Sequence, residues 1–266
     1  MPGPGPVVAL RDRIVVNPGA RPGLRLLLFH HAGASAAAML PLARQMPPEV
    51  EVVAFELPGR GVRSSEPAAE SFAAARDDLL GRARDLLDTP VVLFGHSLGG
   101  VLADSIARTL AADAGCGVRR VILSACPFPS RVRGAASAGR RPAQSLRAQL
   151  REYGGTPEVV FDSPELLEYV LRAFGSDMLL ADSADRPPGI APAGLRHEFW
   201  FGAADRTLPP SAADAWSATL ARKPEVRVFA GGHFYLFDPA GDAGQVLRSV
   251  LRAEIAATGA AGKSAR

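Results

Sequence analysis

The stretch Val91–Gly100 constrains this chain more than any other: Val-Val-Leu-Phe-Gly-His-Ser-Leu-Gly-Gly. Apolar, strand-forming residues end in Gly95-His96-Ser97-Leu98-Gly99 and pass directly into a helical pattern, Val101–Arg108. A serine between two glycines at the joint of strand and helix has the form of a nucleophile elbow. Strand and helix nearly touch at such a turn, and Gly95 and Gly99 lack the Cβ atoms that would collide there. The turn lifts the Ser97 hydroxyl clear of the sheet and leaves the backbone N–H of Leu98 beside it, placed to donate to an oxyanion.

The remainder of the chain alternates strand and helix signals around this point. Strands are expected at Ile14–Val16, Leu24–Phe29, Glu51–Leu57, Val91–Phe94, Arg119–Ser124, His197–Phe201 and Glu225–Phe229. Helices are expected at Ala36–Gln45, at Ser71–Leu87 with Ser71 as its N-cap, after Ser97, near Pro210–Ala221 and at Ala240–Ala257. Short apolar strands alternating with amphipathic helices imply βαβ units, a mostly parallel sheet and helices on both faces. Between 126 and 195 the pattern changes to helical segments near Ser145–Tyr153 and Pro164–Leu180, broken by Pro and Gly, without a strand. This is the expected place of an inserted helical lid on a single α/β domain covering 1–266, with a disordered tail over 258–266.

Composition excludes several classes. Hydrophobic residues make up 47% and charged residues 21% of 266, as in an ordinary globular domain. The formal net charge is only +3, almost all the positive charge is arginine, with Lys223 and Lys263 the only lysines, and no basic stripe interleaved with aromatics suggests nucleic acid. The densest basic segment, Arg131–Arg141, reads as a solvated loop. Cys116 and Cys126 form no CxxC or Cys/His cluster, so no structural zinc is expected. The N-terminus lacks a charged segment followed by an apolar core, and no stretch is long and apolar enough to span a bilayer. A cytoplasmic location without membrane contact is the expectation. No glycine-rich phosphate loop follows any strand, and neither metal nor nucleotide cofactor is expected.

A serine hydroxyl needs a base, and the base needs an acid to orient it. In the α/β-hydrolase fold these follow the serine in the order acid, then histidine, on loops after later strands. His30 and His31 precede Ser97, His96 lies within the elbow and should point away, and His197 begins a strand at the opposite edge of the sheet. His233, just after Glu225–Phe229, has both the order and the place of the base. Asp205, directly past His197–Phe201, is the expected acid, while Asp177, Asp182 and Asp185 fall in the insert or at its exit. The second oxyanion donor is expected in the loop after Leu24–Phe29, on the N–H of Ala32.

Three further segments carry a resemblance. Phe29-His30-His31-Ala32-Gly33-Ala34-Ser35 is similar to the Phe-Pro-His-Ala-Gly-Gly-Ser segment of type II thioesterases, discrete α/β-hydrolases of polyketide and nonribosomal peptide biosynthesis. Leu57-Pro58-Gly59-Arg60-Gly61-Val62-Arg63 with Glu66-Pro67 resembles that family's Leu-Pro-Gly-Arg-Gly-x-Arg…Glu-Pro, and Tyr153-Gly154-Gly155-Thr156-Pro157 its Gly-Gly-Thr-Pro segment. Gly-x-Ser-x-Gly alone is shared by lipases, esterases and peptidases; the combination is more specific. Three places depart from the pattern: in the insert, Arg172-Ala173-Phe174-Gly175-Ser176-Asp177 stands where the family more commonly has Leu-Arg-Ala-Asp. His30 stands for the usual Pro and Ala34 for the second Gly, and an alanine there would be strained if the backbone turned to positive φ.

The resemblance implies a serine hydrolase that removes acyl groups from the phosphopantetheine arm of acyl or peptidyl carrier proteins, clearing stalled or aberrant chains. It implies Ser97, His233 and Asp205 as the triad, Ala32 and Leu98 as oxyanion donors, and a mobile lid over an acyl chamber. A carrier domain of a synthase would be the partner, with pantetheine supplied by the substrate and the enzyme a monomer. Two alternatives stay open at this point. One is a carboxylester hydrolase or acyltransferase acting on a free small molecule; the other is a non-catalytic carrier-domain binding partner built on the hydrolase fold.

Overall fold

The computed structural model describes residues 5–19, 22–113, 117–129 and 141–264, with side chains as far as 257. Its centre is a sheet of eight strands: β1 (Val7–Ala9), β2 (Arg13–Val16), β3 (Leu24–Phe29), β4 (Val50–Phe55), β5 (Val91–His96), β6 (Val118–Ser124), β7 (Arg196–Gly202) and β8 (Glu225–Phe229). The spatial order is β1-β2-β4-β3-β5-β6-β7-β8. From β4 to β8 every pairing is parallel, whereas β1 and β2 join as an antiparallel pair that adds to β4. The mostly parallel α/β-hydrolase architecture expected from the sequence is therefore present.

Every residue of β3, β4 and β5 is buried. Their side chains alternate between two cores, as a period of two dictates. Leu27, Val53, Leu93 and Val121 face α2 (Phe72–Arg84) and α3 (Leu98–Ala112), while Leu26, Leu28, Val92, Phe94 and Ile122 face the other side. There they meet α1 (Leu40–Ala43) and α8 (Ala243–Ser264). The one charge inside β3, Arg25, lies opposite Glu51 of β4 and bonds it at 2.7 Å.

The strand order reverses direction between β3 and β5. The chain goes from β3 outward to β4, then returns past β3 to β5. Open α/β sheets form their crevice at such a switch point, at the carboxyl ends of the strands. The register aligns those ends: Phe29 with Gly95, His96 with Ser124, Ser124 with Trp200 and Gly202 with Phe229.

Several boundaries differ from the sequence expectation. β1 had no counterpart. The helix expected over Ala36–Gln45 is a 3-10 turn, Ala36–Met39, followed by the four residues of α1. The one expected at Pro210–Ala221 is a 3-10 turn and the short α7 (Ala213–Ser217). Between β6 and β7 lie α4 (Ala143–Tyr153), α5 (Glu158–Asp162) and α6 (Pro164–Ser183), with a small core of Leu146, Leu150, Phe161, Leu167, Phe174 and Met178. The final helix starts at Ala243 and runs to Ser264, across most of the stretch expected to be disordered. Alanines 256, 257, 260 and 261 supply helix propensity there. Of the basic segment Arg131–Arg141 only Arg141 is among the described residues, and Cys116 is not.

Candidate active site

The elbow is built by backbone contact. A Cβ on Gly95 would lie 2.0 Å from the carbonyl oxygen of Gly99, and one on Gly99 would lie 2.2 Å from that of Phe29. Only glycine lets α3 start this close to β5 and β3. Between them Ser97 takes φ 54° and ψ −120°, a conformation that costs a residue with a side chain. Its N–H donates to Ser124 O at 2.8 Å, and its carbonyl accepts from Gly100 N at 2.9 Å. Leu98 follows as the first residue of α3, and its N–H has no acceptor among the described residues.

The loops after β7 and β8 are tied to each other. Ala203 N–H donates to Phe229 O and Ala204 N–H to Gly231 O, both at 2.8 Å. This brings Asp205 and His233 together, with Nδ1 of the ring 2.7 Å from Oδ2 of the carboxylate. The other carboxylate oxygen, Oδ1, accepts from Thr207 N–H at 2.9 Å, Thr207 hydroxyl at 2.7 Å and Leu208 N–H at 3.1 Å. Burial works against the Asp205 charge, but the hydrogen bonds from His233 and Thr207 outweigh it and hold the carboxyl below its ordinary pKa. With Nδ1 engaged, Nε2 of His233 is left for another partner. Ser97 and His233 line one cavity of about 250 Å³, together with Ala32, Leu150, Phe174 and Phe237.

The loop after β3 supplies a further wall. Ala34 N–H donates back to His31 O at 3.2 Å, closing a turn in which Gly33 has φ +77°. The positive φ thus falls on Gly33, and Ala34 is not among the residues that carry one. Gly33 N–H donates to Oδ2 of Asp177 at 2.7 Å. Among the described residues, Ala32 N–H has no acceptor. His30 is buried beneath the loop; its Nδ1–H donates to His31 O at 2.9 Å, and Nε2 lies 3.5 Å from Glu56. Glu56 in turn accepts from Ala36 N–H at 3.0 Å.

The other histidines are accounted for. His96 is fully buried, with Nδ1 2.9 Å from Ser124 Oγ and its ring 5.3 Å from that of His233. Burial, then the neighbouring His233 and His31, push its pKa well down, so it packs behind the site as a neutral ring. His31 is likewise pushed down to about 3, chiefly by burial. His197 pairs with Asp104 at 2.9 Å near the start of β7, far from the loops. Asp182 pairs with Arg141 at 2.7 Å.

Sequence reasoning did not foresee the contacts by which several residues shape the site. Tyr153, at the end of α4, stacks on the His233 ring at 4.9 Å and 25°. Gly155, at φ +75°, approaches Phe234 so closely that a Cβ would lie 2.4 Å from the ring. That contact gives the Gly-Gly-Thr-Pro segment a physical reason: it seats the insert beside His233. Thr207, Phe174 and Asp177 complete the surroundings. Phe174 and Asp177 act through contacts across the fold, which no local pattern signals, whereas Thr207 holds Asp205 from two residues away. Among the described residues no group of His, Cys, Asp or Glu could hold a metal ion, and no helix is long and apolar enough to cross a membrane.

Comparison with known proteins gives a consistent result. A family model described as a thioesterase domain matches residues 24–253. The chain is 32% identical over 221 residues to the "Probable cadicidin biosynthesis thioesterase" of Streptomyces griseus, covering 83% of this chain and 60% of that one. It is 31% identical to phenyloxazoline synthase MbtB of Mycobacterium tuberculosis over 82% of its own length, but spans 15% of that protein. Among solved structures, the type II thioesterase BorB of the borrelidin biosynthetic cluster superposes with a TM-score of 0.74 at 30% identity, over 93% of this chain and 99% of that one.

Proposed function

The chain belongs to the thioesterase family, and on that premise we propose that it hydrolyses acyl thioesters held on the phosphopantetheine arm of acyl or peptidyl carrier proteins. Its role is to clear stalled or aberrant chains from a polyketide or nonribosomal peptide synthase. What carries the proposal is one cavity that gathers Ser97, His233 and the Ala32 loop, walled by Leu150, Phe174 and Phe237, in a chain similar from end to end to a type II thioesterase. An apolar chamber beside a nucleophile suits an acyl chain; a thiol leaving group suits an opening toward solvent.

In the proposed mechanism, Ser97 Oγ attacks the thioester carbonyl carbon while Nε2 of His233 takes its proton. The N–H groups of Leu98 and Ala32, both without a protein acceptor among the described residues, receive the oxyanion. The C–S bond then breaks, and the imidazolium returns its proton to the pantetheine sulfur. A water deprotonated by His233 attacks the acyl-serine, the C–O bond to Ser97 breaks, and the carboxylic acid departs as Ser97 regains its proton. Asp205 fixes the Nδ1–H tautomer and offsets the positive charge of the imidazolium. No step calls for a metal or a nucleotide. The insert of α4–α6 is proposed as the lid of the chamber.

The test is a hydrolysis panel in which short and medium acyl groups are loaded on carrier proteins, on free pantetheine and on simple alcohols. The expected kcat/KM is at least tenfold higher on the carrier than on pantetheine, and higher again than on esters. Free esters as the best substrates would overturn the carrier assignment and favour a small-molecule esterase.

A further inference from the structure

One buried ion pair near the site is not used by this chemistry. Asp177, on α6, is fully buried and receives two guanidinium nitrogens of Arg60, with Nη2 to Oδ1 at 2.6 Å and Nη1 to Oδ2. Arg60 belongs to the Leu-Pro-Gly-Arg-Gly segment, and its Nη1 also donates to Ala34 O at 3.2 Å. The same Oδ2 of Asp177 takes the Gly33 N–H at 2.7 Å. One turn back on α6, Phe174 sits so close to Gly33 that a Cβ there would lie 3.2 Å from the Phe174 Cβ. A helix of the insert thus grips the tip of the β3 loop by a packing contact and a charged hydrogen bond, three residues apart on one face.

The geometry of the loop makes this grip consequential. Of its tip, Ala34 N–H is spent on His31 O and Gly33 N–H on Asp177, so Ala32 carries the N–H still free to donate among the described residues. An unpaired Gly33 N–H would have to find another acceptor, and a loop free to turn would offer a substrate oxygen either donor or neither. We propose that Asp177 is a positioning residue: held by Arg60, its carboxylate takes the Gly33 N–H, fixes the loop and leaves the Ala32 N–H as the loop's oxyanion donor. Formation of the oxyanion hole is then conditional on α6 being seated. Asp177 touches no reacting atom and acts through the loop.

This inference rests on the assignment of Ser97 as nucleophile, so the test uses a probe that needs only that serine. An alkyl fluorophosphonate forms a P–O bond to Ser97 and loses fluoride, and its phosphoryl oxygen occupies the oxyanion position. Asp177→Asn keeps an acceptor for Gly33 N–H but loses the charge; Asp177→Leu keeps the volume but loses the acceptor. The expected result is a maximal labelling rate within about fivefold of wild type for Asn and at least thirtyfold slower for Leu, with probe affinity little changed in both. Carrier-thioester hydrolysis should divide the same way in kcat, with KM nearly constant. A merely structural ion pair would be lost equally in the two variants. Equal labelling rates for Asn and Leu, whether fast or slow, would therefore overturn the proposal. Should Asp177→Leu not fold, Arg60→Met with Asp177→Leu leaves no buried charge unpaired and carries the same expected loss. If wild type labels at Ser97 and the variants divide as expected but no carrier thioester is hydrolysed, the substrate proposal falls and this one stands.

Discussion

Asp205→Asn tests the site most directly, because the surroundings dictate how the new amide must lie. Oδ1 of Asp205 accepts three hydrogen bonds, two from Thr207 and one from Leu208, while Oδ2 faces His233 Nδ1 at 2.7 Å. An NH2 group in the Oδ1 position would meet three donors, so the amide carbonyl must take that place. The NH2 is thereby turned to His233, and Nδ1 must accept instead of donate. The ring proton moves to Nε2, the nitrogen that has to receive the proton of Ser97. Geometry survives and the tautomer is wrong. The equivalent replacement in the serine protease triad lowers kcat by roughly four decades, and we expect about three to four here. At about 1.36 kcal/mol per decade this is roughly 4–5.5 kcal/mol of transition-state stabilisation. The assay is single-turnover acylation of Ser97 with a carrier-bound thioester and with a fluorophosphonate, beside a urea titration. KM should stay within about threefold of wild type, and stability at neutral pH should fall by about 1–2 kcal/mol, the loss of one charge-assisted bond. The sign with pH is fixed. The Asp205 carboxyl is held below its ordinary pKa, so its contribution is present above the unfolded value near 3.9 and disappears as pH falls through the folded one. The stability gap between wild type and variant should therefore close in acid. A variant that acylates within tenfold of wild type would refute the assignment of Asp205.

The remaining expectations concern the elbow and its neighbours. Ser97→Gly should abolish hydrolysis yet raise Tm by about 2–4 °C, since relief of a strained φ is worth about 1 kcal/mol; an unchanged or lower Tm counts against the strain. Gly99→Ala would push a Cβ to 2.2 Å from Phe29 O and 2.6 Å from His30 O, both backbone atoms. A loss of about 3 kcal/mol or more is expected, read as a Tm lower by roughly 10 °C, and near-wild-type stability would contradict the close approach of α3 and β3. His96, fully buried with its pKa pushed well down, binds a proton only on unfolding once pH drops below about 6.5. Stability should thus fall by about 1.4 kcal/mol per pH unit from this residue between pH 6 and 5, measured by urea midpoints; a flat profile there would mean His96 reaches solvent.

The framework was legible where one local pattern decided the structure. β3 and β8 lie where the sequence put them to the residue, because each is an apolar or strand-forming run between turn residues. Ser71 caps α2 as expected, accepting from Ala74 N–H. That Ser97, Asp205 and His233 fall just past β5, β7 and β8, at one edge of the sheet, was legible from chain order, and the 2.7 Å approach of Asp205 to His233 agrees with it. What escaped depends on pairing and packing partners, a few close in sequence and the rest far along the chain. β1 is a strand only because Val7 pairs with Val16 across a short turn, amid prolines and glycines that argue for a loop. The helices at 36–45 and 210–221 shorten to a 3-10 turn and a short helix each, with Pro41 in the first turn of α1 and Pro210 opening the second 3-10 turn. Tyr153 could be noticed as part of a motif, but not that it stacks on a ring eighty residues later. Asp177 entered only as a competitor for the acid role, since its bonds to Gly33 and Arg60 cross 144 and 117 positions of chain.

These long-range contacts divide the enzyme into two parts with different consequences. Ser97, His233 and Asp205, the proposed nucleophile, base and acid, stand just past strand ends locked by the parallel ladder and by the two cores that cover the sheet. The insert has a separate core of its own, around Phe161, Leu167 and Phe174. A small satellite core can shift as a unit without disturbing the ladder. Its apolar side chains Leu150, Val170 and Phe174 wall the cavity, so substitutions there should redistribute KM among acyl groups and leave the Asp205–His233 bond intact. The exceptions are the points where the insert touches the loops after β3 and β8, Tyr153 on His233, Gly155 on Phe234, and Phe174 and Asp177 on Gly33. At those contacts a change in the insert should also change rate. On the proposed function, a site assembled this way should acylate fastest with a chain that lets the insert keep these contacts, so kcat and not only KM should vary with the acyl group.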